Sequence, residues 1–235
     1  MKLGVVVPAY NEEPRLARSL ERIRDFLSSQ DYEWEVTIVD DGSADSTAAI
    51  ASAFAEADSH FKMISYAKNK GKGYAVRTGM IRAEADWLLL CDADLAAPIE
   101  EVIKLFAAGR PIAIGSRPLR ESSLEVRQPW WREASGRAFN FAVQALSLRG
   151  IKDTQCGFKL FSREAAKEVF PRCRFNGFSY DFESLMVARK LGFEIAEVPI
   201  RWSHQAGSKV RLVRDGLHML RDLVALRLTL ASRLK

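Results

Sequence analysis

Short apolar runs alternate with stretches of helical spacing through the first half of this chain, and that alternation leaves few folds open. The runs are "LGVVVPAY", "WEVTIVDD", "FKMISY", "DWLLLCDAD" and "PIAIGSR". Their continuous apolar character predicts strands buried on both sides rather than strands with one wet face. Between them lie "EEPRLARSLERIRDFLSSQ", where Leu16, Leu20, Ile23 and Leu27 share a face, then "STAAIASAFAEA", "GYAVRTGMIRAEA" and "PIEEVIKLFAAG". Such alternation predicts an α/β domain: a mostly parallel sheet with helices on both faces. Ligands of these sheets bind beyond the carboxyl ends of the strands, so chemistry-bearing residues are expected there.

The second half is less regular. "ESSLEVRQPWWREASGRAFNFAVQALSLRG" begins polar and becomes helical. "IKDTQCGFKLFSREAAKEVFPRC" predicts a turn, a short strand and a helix; "YDFESLMVARKLGF" a helix; "EIAEVPIRW" a strand; "RLVRDGLHMLRDLVALRLTLASRLK" a closing helix. No Pro/Gly linker, repeat or low-complexity tract divides the 235 residues, so one domain is expected. The 35 Lys and Arg outnumber the 30 Asp and Glu, and the net charge of +5 suits phosphates, nucleic acid or a membrane surface. The positive residues are scattered and no nucleic-acid motif is present, which argues against a nucleic-acid-binding module. Cys91, Cys156 and Cys173 are widely spaced, make no metal or disulfide framework, and point to a reducing cytosolic compartment. The first apolar run is too short for a signal peptide, and none reaches the roughly 18 residues that cross a bilayer.

Four polar clusters close successive apolar runs. In "LLLCDADLA" alternate strand residues face the same way, so Asp92 and Asp94 can project together. Two hard oxygens there suit Mg²⁺ or Mn²⁺, which take carboxylates together with substrate phosphates; a solvated turn is the plain alternative. In "VDDGS", Gly42 permits a tight turn and Asp40 and Asp41 can accept from base or ribose donors, while Ser43 or Asp45 could cap the next helix. In "VVPAYNEE", Pro8 is expected to end its strand, Tyr10 offers a flat ring, and Asn11 and Glu12 offer polar edges. "NKGKGYAVRTG" fits neither Gly-rich phosphate motif, yet Lys70, Lys72 and Arg77 could meet an anion at a helix N-terminus. Together the four describe a nucleoside diphosphate site with a divalent metal.

In this order, "VVPAYNEE", "VDDGSADST", "NKGKGYAVRTG" and "CDADLAAP" resemble the family 2 inverting glycosyltransferases of GT-A, Rossmann-like fold. The later "GSR", "DTQCGFKLFSREAA", "YDFESLMVARKLGFEIAEVPIRW" and "GSK" are most similar to the dolichyl-phosphate glucosyltransferase branch, beside the dolichol-phosphate mannose synthases. The resemblance implies one GT-A domain over 1–235, with a nucleotide-sugar half (1–118), an acceptor half (119–209) and an amphipathic tail helix (210–235). It implies transfer of a hexose, glucose from UDP-glucose in the first instance and mannose from GDP-mannose as the alternative, to a polyprenyl or dolichyl phosphate. A soluble or polysaccharide acceptor is the other alternative. Pro8, Tyr10 and Glu12 would line the nucleoside site, with Asp40 on the base and Asp41 supporting the same turn. Asp92 and Asp94 would hold Mg²⁺ or Mn²⁺, Asp94 as the direct ligand, and Lys72 would join the donor site. Arg117 and Arg132 would hold donor or acceptor phosphate, and Asp153 would sit near acceptor and sugar. Mannose synthases often carry Gln two residues past the second Asp as a third metal ligand; Ala96 stands there here.

A lipid acceptor requires contact with a bilayer. At about 100° per residue, Leu212, Val213, Leu217, Leu220, Leu223, Val224 and Leu230 gather on one broad side of the last helix, opposite Arg214, His218, Arg221 and Asp222. Arg227 falls on the apolar side. Such a face fits either an interfacial helix or the core. Phe139, Val143 and Leu146, and Phe141, Ala145 and Leu148, make two further stripes that lipid or a second subunit of a homo-oligomer could cover, with Trp130 and Trp131 just before them. The expected location is cytoplasmic, peripheral on the inner face of a membrane.

Overall fold

The computed structural model describes residues 1–126, 143–144, 148–205 and 212–233. Its strands are β1 (Lys2–Ala9), β2 (Glu33–Asp40), β3 (Phe61–Ser65), β4 (Trp87–Cys91), β5 (Ile112–Ser116), β6 (Ser123–Val126), β7 (Phe158–Ser162), β8 (Ile195–Pro199) and β9 (Arg201–Ser203). Seven of them form one sheet in the order β3-β2-β1-β4-β7-β5-β8. All pairs are parallel except those of β7, which runs antiparallel to both β4 and β5. The mostly parallel sheet expected from the apolar runs is therefore present, with one reversed strand inside it. That reversal positions the site: an antiparallel strand begins at the edge where its neighbours end, so residues 153–157 arrive beside the carboxyl ends of β4 and β5. Strand order changes direction between β1 and β4, which makes that edge the switch point of the sheet.

The helices are α1 (Leu16–Ser28), α2 (Thr47–Ala57), α3 (Lys72–Arg82), α4 (Val102–Ala107), α5 (Arg163–Val169), α6 (Tyr180–Lys190) and α7 (Leu212–Arg233). α1, α2 and α4 pack on one face of the sheet with Leu3, Val5, Val7, Leu89 and Leu160. α3, α5, α6 and α7 pack on the other with Val6, Leu88, Leu90, Ile114 and Phe161. The two faces separate odd from even residues along β1 and β4, the period of two that a strand buried on both sides requires. The α1 stripe of Leu16, Leu20, Ile23 and Leu27 is fully buried, and truncating any one to Ala should cost about 2–5 kcal/mol.

Three local expectations change. Pro8 does not end β1: it pairs in register with Val39, and the strand continues to Ala9. Ala9 turns its carbonyl toward β2, where Asp41 N–H donates to it, so Pro8 faces the β4 side. The β4 ladder has already stopped at Val6, and the missing N–H leaves no gap. "EIAEVPIRW" is two strands: after Pro199 the chain leaves the main sheet, and β9 pairs with β6 in a small parallel sheet. Asp45 accepts from the Thr47 N–H, but it stands one residue before the N-cap of α2, Ser46, and the helix has no side-chain cap bond. Ser43 does not cap the helix; its Oγ accepts from the Asn11 N–H and stitches two loops together.

The tail helix resolves the question its periodicity left open. Met219, Leu223 and Leu226 are buried against the second face of the sheet, with Leu230 packed beside them. Leu217, Leu220, Val224 and Leu228 are exposed, Leu228 to 78%. The broad apolar side is thus a buried strip and an adjoining open one. Val143 and Leu148 are buried in the second core. Trp130, Trp131, Arg132, Phe139, Phe141, Ala145 and Leu146 lie outside the described residues. No described helix is long and apolar enough to cross a membrane.

Candidate active site at the carboxyl edge

β1, β2 and β4 deliver Tyr10, Asp40 and Asp92 to one edge, because parallel strands in register end together. The "VDDGS" turn is held from both sides. Asp40 Oδ2 accepts from Ser65 Oγ at 2.8 Å and Oδ1 from the Ser43 N–H at 3.2 Å. Gly42 has φ +69°, and a Cβ there would lie 2.6 Å from Asn69 N, so this crossing requires glycine. Asp41 does more than support its own turn. Its carboxylate accepts from the Lys70 and Gly71 amides, each at 2.8 Å, and from Asn69 Nδ2 at 2.9 Å, fixing the loop that leads into α3. Burial still raises its pKa despite those bonds. Glu12 forms an ion pair with Arg15 Nε at 2.5 Å, and its N–H donates to Thr47 Oγ1. Pro8, Tyr10, Glu12, Asp40 and Asp41 are thus brought to one region.

Two amides at the N-terminus of α3 are already taken. The Gly73 and Tyr74 N–H groups donate to the Asn176 carbonyl, at 2.7 and 3.2 Å. Arg77 reaches Asn176 Oδ1 and the Cys173 carbonyl, and Lys70 lies over the Tyr66 and Tyr74 rings. Of the three cations expected at an anion, only Lys72 faces the edge. Its Nζ lies 2.6 Å from Asp92 Oδ1. That oxygen is buried and has no hydrogen-bond partner, so the contact is a charge contact without hydrogen-bond geometry. Desolvation alone would lower the Lys72 pKa; the neighbouring Asp92 charge outweighs it and holds the group protonated. Asp94 shares Oδ1 with the Ala96 N–H at 3.0 Å, and burial, then the Asp92 charge, raises its pKa. Ala96 is buried, and its carbonyl accepts from the Ser203 N–H, which ties this turn to β9.

The loop before β7 closes the site from the other side. A Cβ at Gly157 would lie 2.0 Å from Asp92 Oδ2, so the backbone packs directly on this carboxylate. Arg117 and Asp153 do not point separately at a substrate. Arg117 Nε and Nη2 bind the two oxygens of Asp153 at 2.6 and 2.8 Å, and the Arg117 N–H adds a third bond. Burial opposes ionisation of Asp153, but Arg117 outweighs it and the pKa is lowered. Asp153 is fully buried; its Oδ1 also accepts from the Gln155 N–H, and the Arg117 guanidinium lies over the Trp202 ring. Behind them Lys159, fully buried in β7, donates to Asp181 and to the Cys156 carbonyl.

A sequence model of Glycosyl transferase family 2 matches residues 4–170. The chain belongs to that family. The transferase is 36% identical over 240 residues to the dolichyl-phosphate beta-glucosyltransferase of Dictyostelium discoideum, covering 96% of this chain and 73% of that one. It is 34% identical over 243 residues to the Homo sapiens protein of the same name, covering 97% and 75%. In fold it is similar to mannosyl-3-phosphoglycerate synthase of Rubrobacter xylanophilus, with TM-score 0.72 at 20% identity over 100% of this chain and 76% of the other. A second structural neighbour is glucosyl-3-phosphoglycerate synthase of Mycobacterium tuberculosis, solved with Mn²⁺, UDP and product. Its TM-score is 0.67 at 22% identity, covering 99% and 79%. These neighbours show the GT-A arrangement of the transferase.

A divalent cation fits the doublet of the transferase. Asp92 offers a buried oxygen that no hydrogen bond satisfies, and both donors are hard carboxylates. Mg²⁺ and Mn²⁺ commonly take one or two carboxylates together with substrate phosphate and water. Sequence reasoning missed Gly157, Lys159, Asn176 and Asp181. Lys159 carried a usable signal: a lysine between Phe158 and Leu160 in a buried strand requires a partner.

Proposed function

We propose that this transferase moves glucose from UDP-glucose to a polyprenyl phosphate of the dolichyl type, with inversion, on the cytoplasmic face of a membrane. The acceptor rests on one observation. Among the described residues, the carboxylates behind the doublet are already committed, Asp153 to Arg117 and Asp181 to Lys159. Burial pushes the Cys156 thiol up to about 12, so it is no base either. An acceptor hydroxyl would need a base, whereas a phosphate oxygen is anionic at neutral pH and brings its own nucleophile. The two relatives named dolichyl-phosphate beta-glucosyltransferase support the same pairing of sugar and acceptor.

Asp92 and Asp94 would hold Mg²⁺ or Mn²⁺. The cation supplies neutralisation of the charge that gathers on the departing diphosphate. Tyr10, Glu12 and Asp40 surround the nucleoside. Arg117, oriented by Asp153 and backed by Trp202, presents positive charge to the acceptor phosphate and aligns it behind the sugar. A bond forms between a phosphate oxygen and the anomeric carbon as the bond from that carbon to the diphosphate breaks. The electron pair leaves on the diphosphate, and no proton moves. Attack from the face opposite the leaving group inverts the centre.

The open strip of α7 supports a peripheral attachment. Leu217, Leu220, Val224 and Leu228 span about 80° of the helix, with Arg227 on one flank and Arg214 and Arg221 on the other. The test is a panel of UDP-glucose and GDP-mannose with Mn²⁺, offered a short polyprenyl phosphate, the matching polyprenol, or soluble sugars. Glucosyl transfer to the phosphate alone, stopped by a chelator, is expected. Transfer to the alcohol or to soluble sugars, and none to the phosphate, overturns the reading.

A further inference from the structure

We propose that Lys72 is a built-in stand-in for the divalent cation: its ammonium neutralises Asp92 while the site is empty and moves to the diphosphate when cation and nucleotide enter together. This rests on the reading of Asp92 and Asp94 as the cation site.

Three observations carry it. Lys72 is the first residue of α3, and the first turn holds no acidic side chain. A cation at a helix N-terminus opposes the helix dipole, so this lysine is there at the helix's expense rather than for its benefit. Its ammonium sits on the one oxygen of the doublet that is buried without a hydrogen bond, the position a cation would claim. Its stem is long and its side chain is 28% exposed, so the head group can move without the backbone following.

Charge counting gives the consequence. Asp92, Asp94 and Asp181 face Lys72 and Lys159, and Lys159 is fixed by hydrogen bonds to Asp181 and the Cys156 carbonyl. The five groups sum to one negative charge. A divalent cation alone would turn the sum positive and press against the Lys72 ammonium on a shared carboxylate. A diphosphate arriving with the cation restores balance and gives the ammonium a new partner. Cation and nucleotide therefore favour one another's binding, and by linkage each raises the other's affinity by the same factor.

The experiment is a titration of the full-length protein with Mn²⁺, followed by the electron paramagnetic resonance of the free ion, with and without UDP. Wild type is expected to bind Mn²⁺ weakly alone and on the order of 10- to 100-fold more tightly with UDP. Lys72→Met is expected to bind Mn²⁺ alone about tenfold more tightly, and to lose most of the gain from UDP. Lys72→Arg should keep the wild-type pattern, and Lys72→Gln, read in the same way, covers a Met variant that does not fold. A merely structural lysine would lower the melting temperature on substitution and leave the ratio of the two affinities unchanged; that result overturns the inference. Wild type that binds no Mn²⁺ even with saturating UDP overturns instead the cation site on which the inference stands.

Discussion

Two kinds of aspartate stand in one site. Asp153 and Asp181 lie behind the carboxyl edge, each with a cation seated on it by hydrogen bonds, Arg117 on one and Lys159 on the other. Asp92 and Asp94 lie on the edge itself with incomplete partners: a charge without hydrogen-bond geometry for one, a single backbone amide for the other. Burial opposes ionisation at both Asp94 and Asp153; Arg117 overcomes it at Asp153, and nothing comparable does at Asp94. The same side chain is thus a brace in one place and, on the proposed reading, a cation ligand in the other, and its neighbours decide which. The two strips of α7 repeat the contrast in apolar form, with Leu223 sealed and Leu228 open.

The largest separation should come from Asp94→Asn. Transfer is expected to fall on the order of 10³-fold in kcat. The thermal midpoint should hold or rise, because the substitution removes a charge that burial already disfavours. A melt far below wild type would place Asp94 among the braces. Asp153→Asn should do the reverse and cost about 3 kcal/mol in urea denaturation, since it strips the partner from a largely buried Arg117. That loss depends on pH with a defined sign. The folded pKa of Asp153 is lowered, so its contribution is complete above about pH 4, near the unfolded value, and fades as pH falls through the folded one. The gap between wild type and variant should therefore close in acid; a gap that stays constant down to about pH 2 would show that charge is not its cause.

Gly157→Ala sharpens the comparison at the doublet alone. A methyl 2.0 Å from Asp92 Oδ2 must push that carboxylate aside, and a displacement of that order should lower kcat/KM about 10²-fold and weaken Mn²⁺ binding. Unaltered Mn²⁺ affinity would mean that the packing of this glycine on Asp92 is irrelevant to the cation. The smallest effect on the isolated protein is expected from Leu228→Glu, within about 0.5 kcal/mol of wild type in denaturation. Its co-flotation with anionic vesicles should nevertheless drop severalfold. Undiminished flotation would move the lipid contact away from the open strip.

Much of this was legible in the sequence where the information is local. The sheet followed from apolar runs, the helices from spacing, and the doublet from two carboxylates at the end of a buried run. What was hidden depends on pairings across the chain. Nothing in "DTQCGFKLF" says that its strand runs against its neighbours, yet that direction is what sets Gly157 on Asp92. The ion pairs Arg117–Asp153, Lys159–Asp181 and Lys72–Asp92 join residues 20 to 36 positions apart, and composition cannot choose such partners. Pro8 misled because a missing donor matters only on a side that still has a ladder. The helical wheel of the tail was right about which residues are apolar, but the line where the core stops runs through the middle of that face.

The carbonyl of Asn176, plugging the start of α3, has a consequence for the end of the catalytic cycle. A pyrophosphate wrapped in backbone amides has to be peeled out of a rigid cradle before the next turnover. Here the Gly73 and Tyr74 amides already donate to that carbonyl, so on the proposed reading the spent nucleotide would be held at its phosphates by an exchangeable ion and the Lys72 side chain. It would depart as the ion loosens, and the speed at which product clears the enzyme would be a property of ion exchange rather than of loop opening.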